Sequence, residues 1–164
     1  MNVLGERERH AVASVLSTLE RDVEVTLELG PAATPVTLLA AGGREIDPNE
    51  TTREVVEAVC ALGALQHSVT SSSSAGSDDG DGGARRAGAV RLAVVEHDEP
   101  GPWPRTTIGP GLRYLGMPLG YELTTLVHGI VEAGRLEPSL TEASRERLDG
   151  LERDVAVDVY VTPT

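Results

Sequence analysis

Apolar residues first recur at helical spacing. Ala11, Val12, Val15, Leu16 and Leu19 follow the polar start Glu6-Arg7-Glu8-Arg9, which predicts one amphipathic helix over residues 4–20. The period then changes to two: Val23, Val25, Leu27 and Leu29 alternate with Glu24, Thr26 and Glu28, a half-buried strand stopped by Gly30-Pro31. A second apolar run, 34–40, precedes Gly42-Gly43, a turn that folds a hairpin back through Arg44-Glu45-Ile46. Asp47-Pro48-Asn49 opens another helix, whose broad face is Val55, Val56, Val59, Cys60, Leu62 and Leu65. Residues 89–95 form the most hydrophobic strand candidate, so an interior place in a sheet is expected for them. Next, residues 106–108 and 112–115 read as two short strands joined at Gly109-Pro110-Gly111. They feed a helix over 122–133 with its face set by Leu123, Leu126, Val127, Ile130 and Val131, His128 outward, and Gly134 as its stop. A last helix is expected from Pro138, with Ser139 and Glu142 at capping-box spacing. It runs through Leu148 and Leu151 into 154–161, where Val155, Val157, Val159 and Val161 alternate as in a strand.

Composition narrows what such elements build. The length of 164 residues fits one domain or one and a fraction. With no Phe, one Trp and three Tyr, the core must be made of Val, Leu and Ala. The net charge is -12 and every one of the 14 basic residues is Arg. An acid-rich, Lys-free chain is expected of a high-salt cytoplasm, where screening relieves self-repulsion; a GC-rich genome with an ordinary acidic domain is the alternative. The charge excludes nucleic acid, which needs a basic stripe, and anionic membrane surfaces equally. No apolar run approaches the roughly 18 residues of a membrane span, and the N-terminus has no hydrophobic signal core, so a cytoplasmic protein is expected.

Candidate chemistry is sparse. The single Cys60 forms no internal disulfide, and at mid-helix it reads as a small buried hydrophobe more readily than as the thiolate of a one-Cys enzyme. Residues 68–88, with four consecutive serines followed by Asp and Gly, have almost no apolar content and are expected to be a disordered insertion. If that loop is instead the contact, the chain is a partner-binding module without redox chemistry. Glu96-His97-Asp98-Glu99 offers metal-ligand types, but with no second His nearby it reads as a solvated loop. Neither a metal nor a cofactor is expected.

Leu19-Glu20-Arg21-Asp22-Val23-Glu24-Val25 returns as Leu151-Glu152-Arg153-Asp154-Val155-Ala156-Val157, at the same helix-to-strand junction. A fixed offset with matching local structure marks duplicated units. The first unit then reads as a helix followed by βαββα, an α/β thioredoxin-like fold with a mixed sheet flanked by helices, over 1–134. Residues 138–164 would be the first helix and strand of an incomplete second repeat.

The stretch Arg113-Tyr114-Leu115-Gly116-Met117-Pro118-Leu119-Gly120-Tyr121-Glu122-Leu123 resembles a segment of the two-repeat glutaredoxin-like protein disulfide oxidoreductases, where it leads into the last helix of the first unit. It is similar also to the N-terminal domain of the alkyl hydroperoxide reductase flavoprotein subunit. The closing 154–164 looks like the strand that in those proteins runs into Cys-Pro-x-Cys. The resemblance implies a tandem for disulfide exchange whose second unit carries the working cysteines. Here, however, Gly30-Pro31-Ala32-Ala33-Thr34 follows the first strand without a Cys, and the second motif would begin after Thr164. Exchange needs an attacking and a resolving thiol. The implied role is therefore a redox-inactive scaffold or docking unit, with a Cys-x-x-Cys-bearing unit or a client protein as partner. Self-association through 154–161 is a further expectation. By the same resemblance Pro104 follows a cis peptide, and Trp103, Pro104, Arg105 and Thr106 form the loop that binds a protein partner.

Overall fold

The computed structural model describes residues 4–31, 36–38, 44–72 and 88–160. Its elements in chain order are α1 (Glu6–Leu16), β1 (Val23–Leu29), β2 (Val36–Leu38), β3 (Arg44–Ile46), α2 (Pro48–Ser72), β4 (Val90–Glu96), β5 (Arg105–Ile108), β6 (Leu112–Leu115), α3 (Tyr121–Ala133) and α4 (Glu142–Asp149). Four strands make a mixed sheet in the order β4-β1-β5-β6, with β1 parallel to β4 and antiparallel to β5. β2 and β3 pair as the expected hairpin in a separate two-stranded sheet. The Gly42-Gly43 turn, and Ala32, Ala33 and Thr34, lie outside the described residues.

Period-two alternation in β1 decides the layering. Val23, Val25, Leu27 and Leu29 are all buried, while Glu24 faces solvent on the other side. Ile108 and Val90, cross-strand partners of Val25 and Val23, are buried on the same face. All three long helices pack there. Leu16 of α1, Val56, Val59 and Cys60 of α2, and Leu126, Val127 and Ile130 of α3 join the β1 residues in one core. Among the described residues the opposite face, carrying Glu24, Thr26, Glu28, Arg91, Ala93, Arg105 and Arg113, has no helix layer.

Several expectations change. Among the described residues β4 is an edge strand rather than an interior one: it pairs there only with β1, and Val94 and Val95 are exposed. Val90 is buried and Leu92 packs partly against the core, but among the described residues no neighbour covers the end of the strand. α2 continues to Ser72, five residues into the stretch expected to be disordered, taking in Val69. The rest of that stretch, 73–87, lies outside the described residues. α4 begins at Glu142 with Thr141 as its cap, whose side chain accepts the Ser144 N–H; the Ser139–Glu142 pair is not the capping box.

Residues 154–160 form no strand and pair with nothing among the described residues, so the expected helix-to-strand repeat is present only in sequence. A strand needs a neighbour to receive its backbone hydrogen bonds. Burial therefore differs between the two copies. Leu19, Val23 and Val25 are buried, and their counterparts Leu151, Val155 and Val157 are exposed.

Candidate functional site

In an open sheet the crevice outside the carboxyl ends of parallel strands is the natural place for a site. Here that crevice lies beyond the ends of β1 and β4. It is an open cleft of about 550 Å³ lined by Leu29, Gly30, Pro31, Asn49, Glu50, Arg53, Glu96, His97 and Asp98. Asn49 ties the start of α2 to the end of β1, its Nδ2 donating to the carbonyls of Gly30 and Pro31 at 3.2 Å each. The Asp47 carboxylate accepts the backbone N–H of Asn49 at 2.8 Å and of Glu50 at 3.3 Å, so a side-chain anion already occupies the helix start. Arg53 and Glu96 form an ion pair across the cleft.

The loop between β4 and β5 closes one end of the cleft. His97 donates its backbone N–H to Leu29 at 2.8 Å, and its ring stacks on Trp103 with centroids 4.2 Å apart and planes 7° from parallel. Arg105 lies over the Trp103 ring, 4.9 Å from its centroid, a cation–π contact. Trp103 Nε1–H donates to the Glu99 carbonyl at 3.0 Å. Gly30 and Gly101 are required by this packing, since a Cβ on either would stand 1.9 Å and 2.6 Å from the indole.

Glu28 gathers the charged members. Its carboxylate accepts both Arg105 Nε at 2.6 Å and Nη2 at 2.5 Å, a bidentate pair, and lies 3.3 Å from His97 Nε2. The Arg105 hydrogen bond holds the Glu28 carboxyl below the ordinary carboxylate range, with His97 adding to the effect. The same pair pushes the Arg105 pKa up.

The loop residues singled out from sequence do not share one role. The Trp103–Pro104 peptide is cis, as the resemblance implied. Trp103 and Arg105 are half-buried beside the cleft, whereas Pro104 and Thr106 are buried. Thr106 stands opposite Leu27 in the ladder and so turns toward the helix layer, away from the cleft. His97, expected in a solvated loop, is instead held by Trp103 and Glu28; Asp98, Glu99 and Pro100 are exposed as expected. Sequence reasoning missed Glu28, Asn49 and Arg53, whose partners are distant in sequence. No group of three or more His, Cys, Asp or Glu among the described residues is placed to hold a metal ion.

Cys60 lies three turns into α2, far from its start, and is 3% exposed. Burial, with Glu57 nearby, pushes its thiol pKa up to about 12. The first helix after β1 begins at Asp47-Pro48-Asn49-Glu50, after the β2–β3 hairpin, and that start also contains no Cys. No helix among the described residues is long and apolar enough to cross a membrane.

Neither a family model nor a curated protein matches the chain. Among solved structures it is similar to the crystal structure of a protein disulfide oxidoreductase from Aeropyrum pernix k1, with a TM-score of 0.53 and 18% identity over 90% of this chain. The chain spans 55% of the length of that protein. With β1-α2-β4-β5-β6-α3 in the order βαβββα, one strand more than the βαββα expected, the mixed sheet and this similarity, the chain has a thioredoxin-like fold.

Proposed function

We propose that this chain is a scaffold or docking unit related to protein disulfide oxidoreductases, which performs no thiol exchange itself and supports exchange by a Cys-x-x-Cys-bearing unit or partner protein. The observation that carries the reading is the start of α2. A helix N-terminus beside the cleft is where a thiolate would be stabilised, and Asp47 caps it there with a carboxylate. The chain's one thiol is in the core and stays protonated at neutral pH. Trp103 and Arg105, fixed at the mouth of the cleft, supply the amphipathic surface a docked protein backbone needs. We further read 138–164 as the opening of a second thioredoxin-like unit, on the strength of the repeated Leu-Glu-Arg-Asp-Val motif.

Insulin reduction by dithiothreitol tests the first half. The chain should leave the rate unchanged, alone and as Cys60→Ala; an acceleration that disappears in the variant would reassign Cys60 as an exchanging thiol. Calorimetric titration with a dithiol thioredoxin tests docking. Binding that Arg105→Ala weakens is expected, and a flat titration removes the docking role.

A further inference from the structure

A free strand edge and an unpaired stretch of this chain have complementary patterns. Among the described residues β4 is hydrogen-bonded on one side only, to β1. Along its Val-Arg-Leu-Ala-Val-Val-Glu sequence there is no proline, so the guards on its free edge are the charges of Arg91 and Glu96, which a partner strand of opposite charge would answer. Residues 154–160, of equal length, alternate Val155, Val157 and Val159 with Asp154, Ala156, Asp158 and Tyr160. The three valines are 59%, 77% and 79% exposed.

The register decides how the two stretches fit. In an antiparallel pairing with Arg91 opposite Asp158, Val90, Leu92 and Val94 stand opposite Val159, Val157 and Val155, and Ala93 opposite Ala156. The same register puts Glu96 opposite Arg153. Both charges of β4 then meet an opposite charge, and every apolar residue on its helix-covered side meets a valine. Slipping by two residues in either direction loses both charge pairs. A parallel pairing with Arg91 opposite Asp154 keeps one and sets Glu96 against Val159.

The faces agree as well. Val90 and Leu92 belong to the side on which the helices pack, so Val155 and Val157 would extend the core next to the exposed Val94. Asp158 would join Arg91 on the open side. The Arg91 guanidinium already donates to Asp22 at 2.7 Å and has donors left for a second carboxylate.

We propose that residues 153–159 of one copy add to the free edge of β4 in a second copy as a fifth, antiparallel strand, and that the reciprocal exchange makes a two-fold dimer. Within one chain the two stretches do not pair, which leaves both available to a neighbour. The inference is separate from the docking role, since neither a thiol nor a client protein takes part.

Sedimentation of the full chain over a range of concentrations provides the test. A dimer is expected, with Asp158→Arg and Arg91→Asp each weakening association by about tenfold or more, and the double charge swap restoring it to within a few fold. Because Arg91 also holds Asp22 and Glu96 also holds Arg53, Glu96→Arg with Arg153→Glu repeats the cycle at the other end of the ladder, and Arg153→Glu alone, which disturbs neither of those pairs, should also weaken association. Mixing Ala93→Cys chains with Ala156→Cys chains under mild oxidation should give a disulfide-linked heterodimer. A monomer at every concentration overturns the proposal, as does a dimer indifferent to all the charge swaps. An intramolecular disulfide in the Ala93→Cys/Ala156→Cys double variant overturns it in favour of pairing within one chain.

Discussion

Glu28 illustrates how one residue can organise a site without belonging to any motif. In sequence it is the last polar position of an alternating strand, and the structure brings to it Arg105, 77 residues away, and His97, 69 away. The bidentate pair is only partly exposed, so removing one partner leaves the other poorly compensated. Arg105→Ala should destabilise the fold by about 1–3 kcal/mol at pH 7. It should also shift the emission of Trp103, the chain's one tryptophan and so a site-specific reporter. The pH dependence follows from the sign of the shift. Because Arg105 depresses the folded-state pKa of Glu28, the stabilisation is fully present above the ordinary carboxylate range and is lost as pH falls through the depressed value. Urea unfolding of wild type and variant should therefore differ most near neutrality and converge in acid. An equal difference at both extremes would assign the effect to packing on Trp103 alone. Arg105→Lys, which keeps charge but not the planar fork, should fall between the two.

At the scale of elements, what the sequence reveals depends on whether burial is set by local periodicity or by neighbours. α1, β1, the β5–β6 hairpin and α3 were legible because each buries one face, and a face is a period. The edge position of β4 was not, because hydrophobic content does not count the strands beside it. Nor was the fate of 154–160, whose alternation describes a strand only when something pairs with it. The cleft and its surroundings were the least legible part, since Glu28 comes from β1, Asn49 and Arg53 from α2, and Trp103 from the loop before β5. The cis peptide before Pro104 was anticipated only through a family resemblance, because a local sequence rarely specifies one. The contrast between α3 and α4 makes the point measurable. Leu126 of α3 is wholly buried, whereas α4 buries nothing and Leu148 is exposed. Leu126→Ala should cost about 2–4 kcal/mol, and Leu148→Ala less than about 0.5 kcal/mol, by chemical denaturation. A large effect at Leu148 would mean that α4 is packed in solution against a surface such as a second unit.

For the whole molecule the governing quantity is charge. A formal -12 on 17.2 kDa sets a repulsion among 26 carboxylates against 14 arginines. Salt acts on both sides of that balance, since it screens the repulsion and also weakens the ion pairs. The pairs among the described residues are mostly at the surface, where each contributes no more than about 1 kcal/mol. The Glu28–Arg105 pair is the one best shielded from solvent and so the least sensitive to ions. Repulsion, being the sum over many unpaired acids, therefore dominates the response. Raising potassium chloride from 0.1 to 1 M shortens the screening length from about 10 to about 3 Å, which should raise the thermal midpoint by several degrees. A variant with exposed Glu57, Glu146, Asp149 and Glu152 made neutral should begin at a higher midpoint and gain less from the same salt. A midpoint that falls with salt would show instead that the ion pairs outweigh the net charge, and would remove the argument that this surface is suited to a concentrated ionic medium.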